Sequence, residues 1–387
     1  MSKIDELIQE LCPDGIKWKQ LGEICASLKK GTLKQGELIC DGAYPVINSG
    51  REWYGFYNSY NNEANAFIIA ARGEYAGFVS YISTRFWAGG LCYPFRSIKE
   101  DLILTKFIYY YLKNKEQSIM DTLVARGSIP AINKSDVDKI QIPIPPLPIQ
   151  QEIVNILDKF TTLEAELEAE LEERKKQYEY YRNKLLTPIK INGKWYMNGK
   201  ETKWNTLDNL FFISRGRVIS KDYLRRFPGP YPVYSSQTEN YGEIGRIDTY
   251  DYEGEYLTWT TDGANAGTVF YRNCQFSITN VCGLLKKITN EVNVRFVFYV
   301  LCITMKEYVS SGMGNPKLMS NVVRKIRIPT PPLEEQERIV DILDKFDALV
   351  NDLSIGLPAE IKARHQQYEY YRNKLLTFKN IAEVQEA

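Results

Sequence analysis

From Leu147 to Leu186, apolar side chains recur at Ile149, Ile153, Ile156, Phe160, Leu163, Leu167, Leu171, Tyr178, Tyr181 and Leu185. The steps are threes and fours with a single seven, and neither glycine nor proline follows Pro148 within the segment. Such spacing lays one apolar stripe along a continuous helix, about 60 Å long at 1.5 Å per residue. A second stripe runs through Ile339, Ile342, Phe346, Leu349, Leu353, Leu357, Ile361, Tyr368, Tyr371 and Leu375. Gly356 and Pro358 interrupt it. An interior proline removes a hydrogen bond and clashes with the preceding turn, so a break is expected near Ile355 to Pro358. The matching stripes predict an antiparallel two-helix coiled-coil rod. Its seam is Ile153, Ile156, Phe160, Leu163, Leu167, Tyr178 and Tyr181 against Ile339, Ile342, Phe346, Leu349, Leu353, Tyr368 and Tyr371.

The segments before each stripe read differently. "EANAFIIAARG", "GFVSYIS" and "FWAGGLCYPF" are short apolar runs between turn residues, and so are "GEYLTWTTDG", "GTVFYRN" and "QFSITNVCGLL". These predict strands. An apolar helical run follows each set, from Leu102 and from Val294. The two sets are related: "YPVINS" answers "YPVYSS", "GEYAGFVSY" answers "GANAGTVFY", and Trp18 and Leu21 answer Trp204 and Leu207. "IPIPPLPIQQEIVNILDKF" answers "IPTPPLEEQERIVDILDKF", and "QYEYYRNKLLT" stands unchanged at 177–187 and 367–377. The fold class that follows is mixed α/β: two pseudo-twofold-related globular domains separated by the two-helix rod. The expected divisions are globular 1–146 and 189–332, helical 147–188 and 333–378, and a C-terminal tail 379–387.

Composition narrows this a little. The net charge of +1 conceals +1 over 1–146, −3 over 147–188, +7 over 189–332 and −4 over 333–387. An acidic rod repels phosphates, whereas a basic second domain can bind them by counterion release. No apolar run reaches about 18 residues, so no membrane span is expected, and the N-terminus reads as an acidic amphipathic stretch. Seven cysteines are scattered without a Cys-x-x-Cys pair, and the single histidine is His365. Reduced thiols in a cytoplasmic protein, and no metal centre, are the expectation.

Candidate binding residues cluster at equivalent places. "SLKKGTLKQ" holds Lys29, Lys30 and Lys34, and its counterpart "SRGRVISKDYLRR" holds Arg215, Arg217, Lys221, Arg225 and Arg226. Alone, such a loop is a solvated surface; its recurrence makes it a DNA candidate. The glycine-bracketed turns "ARGEYAG" and "TTDGANAG" keep their glycines and change their other letters. Arg72 can pair with guanine and Asn265 with adenine, although each turn also reads as an ordinary hairpin. Arg126 and Lys317 complete the candidate DNA-binding set. Catalytic signatures are lacking: there is no phosphate-cradling P-loop, nucleophile elbow or zinc-protease helix. No catalytic or metal residue is therefore assigned. Packing explains the tyrosines and leucines of the repeated segment, but not Glu179, Arg182, Asn183 and Lys184, or Glu369, Arg372, Asn373 and Lys374. These are expected to face outward and to bind two copies of one partner, with local gene conversion as the other explanation.

With its two "IP-x-PPL-x-x-Q" segments (Pro143 to Gln150, Pro329 to Gln336), each entering a long helix after a variable domain, the chain resembles the DNA specificity subunits of type I restriction-modification systems. The resemblance implies two target recognition domains, each reading one half of a bipartite double-stranded DNA site, with the rod setting the gap. It also implies a non-catalytic subunit. Two modification subunits would methylate adenine with S-adenosylmethionine, and restriction subunits would use ATP and Mg. The alternative from the residues alone is a coiled-coil scaffold with two related ligand-binding ends.

Overall fold

The computed structural model describes residues 3–310, 314–352 and 354–379. Leu353 of the expected seam and residues 380–387 of the expected tail lie outside them. The chain divides into two units: Met1–Glu168 with Glu360–Ala387, and Ala169–Ala359. The division cuts through two helices, Leu147–Leu186 and Leu357–Leu375.

In the first unit, strands Cys25–Ser27, Cys92–Ser97, Ala66–Ala70 and Val79–Ile82 form an antiparallel sheet in that order. Its central strand is buried at every position, which is why it reads as a continuous apolar run and not as an alternation. Tyr44–Ile47 pairs antiparallel with Gly55–Tyr57 and parallel with Trp87–Ala88. Lys17–Gln20 pairs with Gln141–Ile144, setting Trp18 opposite Pro143. A two-stranded ribbon tolerates that proline because a free edge needs no donor there. Helix Thr105–Asn114 covers the main sheet, with Phe107, Ile108 and Leu112 fully buried.

The second unit repeats this plan with longer strands. Phe211–Arg215, Cys282–Lys287, Tyr252–Thr260, Val269–Ile278, Tyr231–Tyr234 and Glu243–Ile247 form one six-stranded sheet. The runs "GTVFYRN" and "QFSI", expected as separate strands, are one strand of ten residues. Lys203–Thr206 pairs with Arg327–Thr330, placing Trp204 opposite Pro329. Helix Val294–Thr304 takes the covering position. An additional small sheet, Ile189–Ile191, Lys194–Met197 and Lys200–Glu201, has no counterpart among the described residues of the first unit.

A buried glutamine explains the shared "PPL-x-x-Q". Gln150 is fully buried; its Nε2 donates to the carbonyls of Leu102 (3.0 Å) and Pro145 (2.6 Å), and its Oε1 accepts from Leu104 N (2.9 Å). Gln336 does the same with the Glu291 and Pro331 carbonyls (2.9 and 2.8 Å) and Asn293 N (2.9 Å). One side chain thus ties the start of each helix that follows a Pro-Pro-Leu to the loop leading into the covering helix. About two turns further on, Asp158 accepts from Tyr110 (2.5 Å) and Lys106 (2.8 Å), and Asp344 from Tyr299 (2.5 Å) and Arg295 (2.5 Å). Burial, followed by these carboxylates, raises the pKa of both phenols.

Helix pairing occurs inside each unit. In the first, Phe160 of the long helix meets Tyr368 and Tyr371 of helix Leu357–Leu375, while Glu164 lies 3.2 Å from His365. The residue numbers run in opposite senses, so the pair is antiparallel. In the second, Phe346 of helix Leu333–Asn351 meets Tyr178 and Tyr181. Ile153, Ile339, Leu167, Tyr178 and Tyr368 are buried, and Ile156, Leu163, Ile342, Phe346 and Phe160 are half-buried. Tyr181 and Tyr371 remain 38 % and 37 % exposed although each stacks on a phenylalanine. Leu349 departs from the expected seam: it is exposed and Val350 is buried in its place. The reason is local, because the helix ends two residues later at Asn351.

The C-terminal helical region stops at Asn351 and restarts at Leu357. Proline is not the breaker. Pro358 is the second residue of the new helix, where a missing N–H leaves nothing unpaired. The tight element is Gly356, whose N–H donates to the Asp352 carbonyl (3.1 Å). A Cβ there would lie 2.4 Å from the Ala348 carbonyl oxygen and 2.7 Å from that of Leu349.

Candidate nucleic-acid interface

The glycine-bracketed turns have one skeleton. Gly73 N–H donates to the Pro130 carbonyl at 2.9 Å, and Gly263 N–H to that of Pro316 at 3.1 Å. Ala71 N–H donates to the Leu91 carbonyl (2.9 Å), and Thr261 N–H to that of Val281 (3.3 Å). Ile132 N–H reaches the Ala71 carbonyl (3.0 Å), and Leu318 N–H that of Thr261 (2.9 Å). Main-chain bridges join Arg72 to Ala131 and Asp262 to Lys317. Gly77 and Gly267 have φ of 90° and 81°, and a Cβ on them would meet Met120 Cγ at 3.0 Å and Val309 Cγ2 at 2.9 Å. Positive φ and close approach together require glycine at both positions.

On this common frame the outward side chains are exchanged. Arg72 is replaced by Asp262, Leu91 by Val281, Ile129 by Asn315 and Ala131 by Lys317. Ser49 and Ser236 coincide in sequence. Ser236 Oγ accepts from Thr261 N (2.8 Å) and Asp262 N (3.3 Å), so that hydroxyl belongs to the frame.

Lys29, Lys30, Lys34, Arg72 and Arg126 are all exposed. Lys30 Nζ donates to the Gly90 carbonyl (3.1 Å) and lies 4.9 Å over Tyr93, which places it beside the turn carrying Leu91. Arg126 pairs with Asp121 (3.2 Å), and Lys34 N–H caps onto Glu37 (2.6 Å). In the second unit Arg215 Nη2 lies 3.2 Å from Met319 Sδ, two residues beyond Lys317, and Asn265 Nδ2 donates to Thr238 Oγ1 (3.0 Å). Arg217 is held by Asp251 (3.0 Å) and sits 5.1 Å from the Tyr223 ring. Lys221, Arg225 and Arg226 form a separate patch on the short helix Lys221–Arg226, which packs through Leu224 near Gly245; Arg225 pairs with Asp222 (2.8 Å).

One element was not legible beforehand. Arg272 is 6 % exposed, with its guanidinium 3.5 Å from the Tyr234 ring centroid and Nη2 donating to the Tyr241 carbonyl at 2.6 Å. Desolvation lowers its pKa. It braces Asn240 and Tyr241, both left-handed (φ 46° and 51°), and Tyr241 is 68 % exposed. The only signal was an arginine where the first domain has Ile82.

The repeated segment presents the same surface twice. Glu179, Asn183 and Lys184, and Glu369, Asn373 and Lys374, are exposed. The rings of Tyr180 and Tyr181 lie 5.3 Å apart at 76°, and those of Tyr370 and Tyr371 at the same distance and angle. Arg182 and Arg372 do not face fully outward as expected. Each is half-buried, its guanidinium 5.4 and 5.2 Å from the ring of Tyr178 and Tyr368, because a long arginine stem covers the aromatic one turn back. Arg372 Nε donates to Asn114 (3.2 Å), whereas Arg182 Nε finds no protein partner.

Among the described residues no helix is long and apolar enough to cross a membrane, and no group of three His, Cys, Asp or Glu could hold a metal.

The type I restriction modification DNA specificity domain matches twice, at residues 13–173 and 200–363. A putative type I specificity subunit of Mycoplasma pneumoniae is 45 % identical over 244 residues, covering 63 % of this chain and 95 % of its own. The EcoR124I/EcoR124II specificity subunit of Escherichia coli is 29 % identical over 98 % of both chains. In fold, the chain is similar to the type I S subunit of M. genitalium, with a TM-score of 0.65 at 20 % identity over 93 % of this chain and 95 % of that one. Two family domains on one chain, built on one turn skeleton with exchanged side chains, make this protein a member of the type I restriction-modification DNA specificity subunit family.

Proposed function

We propose that each domain reads one half of a bipartite double-stranded DNA site, and that the helices joining the domains set the gap between the halves. The exchanged side chains on the shared turn skeleton carry this reading, because a fixed backbone with altered outward groups is what two readers of different sequences require. The +7 charge of 189–332 supports phosphate contact there. Two copies of a modification subunit dock on the two copies of the repeated segment. Identical exposed letters support this, since the intramolecular partner of Arg372 has no equivalent at Arg182. Methyl transfer from S-adenosylmethionine belongs to those subunits, and ATP- and Mg-dependent cleavage to restriction subunits.

The test is methylation mapping with the chain assembled on its modification subunits. Exchange of the whole first domain for that of a relative should replace one half-site and leave the other unchanged. A motif that stays the same, or changes in both halves, would refute the reading.

A further inference from the structure

Resting on that reading, we infer that the shared turn skeleton holds one base-reading seat per domain, with Arg72 and Ile129 as the specificity determinants of the first and Asp262 and Lys317 as those of the second. In the first domain the seat is a cleft of about 420 Å³ lined by Ser49, Arg72, Gly73, Leu91, Ile129 and Ala131. Ile129 is 67 % exposed and Leu91 42 %. Neither contributes to the core, yet both flank the one arginine of the cleft. The Arg72 backbone is bridged to Ala131, Gly73 is tied to Pro130 and Ala71 to Leu91, so the backbones of the three segments that carry these side chains are mutually fixed. An exposed guanidinium fork on this fixed backbone offers two parallel donors that match guanine O6 and N7 in the major groove, and an adjacent apolar side chain matches a thymine methyl. The first seat therefore selects guanine with a neighbouring thymine.

The second seat has the same bonds and the opposite chemistry. Asp262 and Lys317 are directly opposed across a main-chain bridge. Thr261 Oγ1 donates to Asp262 Oδ2 at 2.5 Å, which orients the carboxylate and leaves its other oxygen available. A carboxylate accepts from cytosine N4 and an ammonium donates to guanine O6 or N7. These atoms lie side by side on the major-groove edge of a single G·C pair, so the two side chains can engage both bases of one pair. The second seat selects G·C in one orientation.

The experiment uses the full chain assembled with its modification subunits and reads methylation across a randomised DNA library. Arg72→Ala should relax one position of the first half-site, losing roughly 5- to 150-fold in discrimination, with the second half-site intact as an internal control for folding. Arg72→Lys keeps the charge and loses the fork, and should relax the same position. Lys317→Ala should relax one position of the second half-site alone. A uniform loss over all sequences with unaltered motifs would make Arg72 a phosphate contact and overturn the inference, as would motifs unchanged in all three variants. Domain exchange separates the two levels: if it moves a half-site while Arg72→Ala does not, the seat fails and the domain reading stands.

Discussion

Phe160 stacks on Tyr371 with ring centroids 5.7 Å apart and planes 26° from parallel, and Phe346 stacks on Tyr181 at 5.8 Å and 27°. The same aromatic clasp thus closes each unit, always between one copy of "ILDKF" and one copy of "QYEYYRNKLLT". Since the surroundings match, the two phenylalanines should contribute alike. Phe160→Ala and Phe346→Ala are each expected to cost about 2–3 kcal/mol, below the full-burial figure because both rings are half-buried. Urea unfolding of the two variants checks this; a large difference between them would contradict equivalence of the clasps.

Gln150→Leu and Gln336→Leu preserve bulk and remove every hydrogen bond that the buried amide makes. Each leaves two carbonyls and one N–H buried without that partner. At about 1–3 kcal/mol per orphaned group, a loss of at least ~3 kcal/mol is expected, read as a fall in the urea midpoint. A substitution within experimental error of the parent would show that these glutamines do not hold the helix starts.

Tyr180, Lys184, Tyr370 and Lys374 are the exposed members of the repeated surface that make the cleanest probes, since the arginines are partly packed. Lys184→Glu combined with Lys374→Glu should abolish assembly with modification subunits while changing stability by only about 0.5 kcal/mol, the usual range for a surface change. Each single substitution should leave one subunit bound. Native mass spectrometry counts the bound copies; two copies on the double variant would exclude this surface.

Inserting four residues near Ala165, about one helical turn, should widen the gap in the methylated motif and keep both half-site sequences. Methylation mapping distinguishes the outcomes. Altered half-sites with an unaltered gap would contradict the helices' role in spacing.

Stability should fall at alkaline pH. Burial pushes the phenols of Tyr111 and Tyr178 up to about 12, whereas unfolded tyrosine titrates near ~10. The folded values are raised, so this contribution is complete below pH ~10 and is lost as pH rises toward about 12. Urea midpoints between pH 8 and 11.5 should therefore be flat at first and then decline, with tyrosinate absorbance appearing as the protein unfolds.

Periodicity and internal repetition determined much of this protein without coordinates: the two α/β domains, the long helix, the interruption before the last helix, and the glycine-bracketed turns. These were legible because each rests on a local rule, either an apolar period or a backbone demand that only glycine meets. Tertiary structure decided the rest. That each unit is closed by helices distant in sequence, that Gly356 and not Pro358 makes the tight turn, and that Gln150 and Gln336 are buried ties all depend on close approach between remote segments. The same holds for Arg272 under Tyr234 and for the opposition of Asp262 to Lys317. A linear pattern reports which face of an element is apolar, but which segment meets that face, and which polar groups are thereby left to read a ligand, is set by packing.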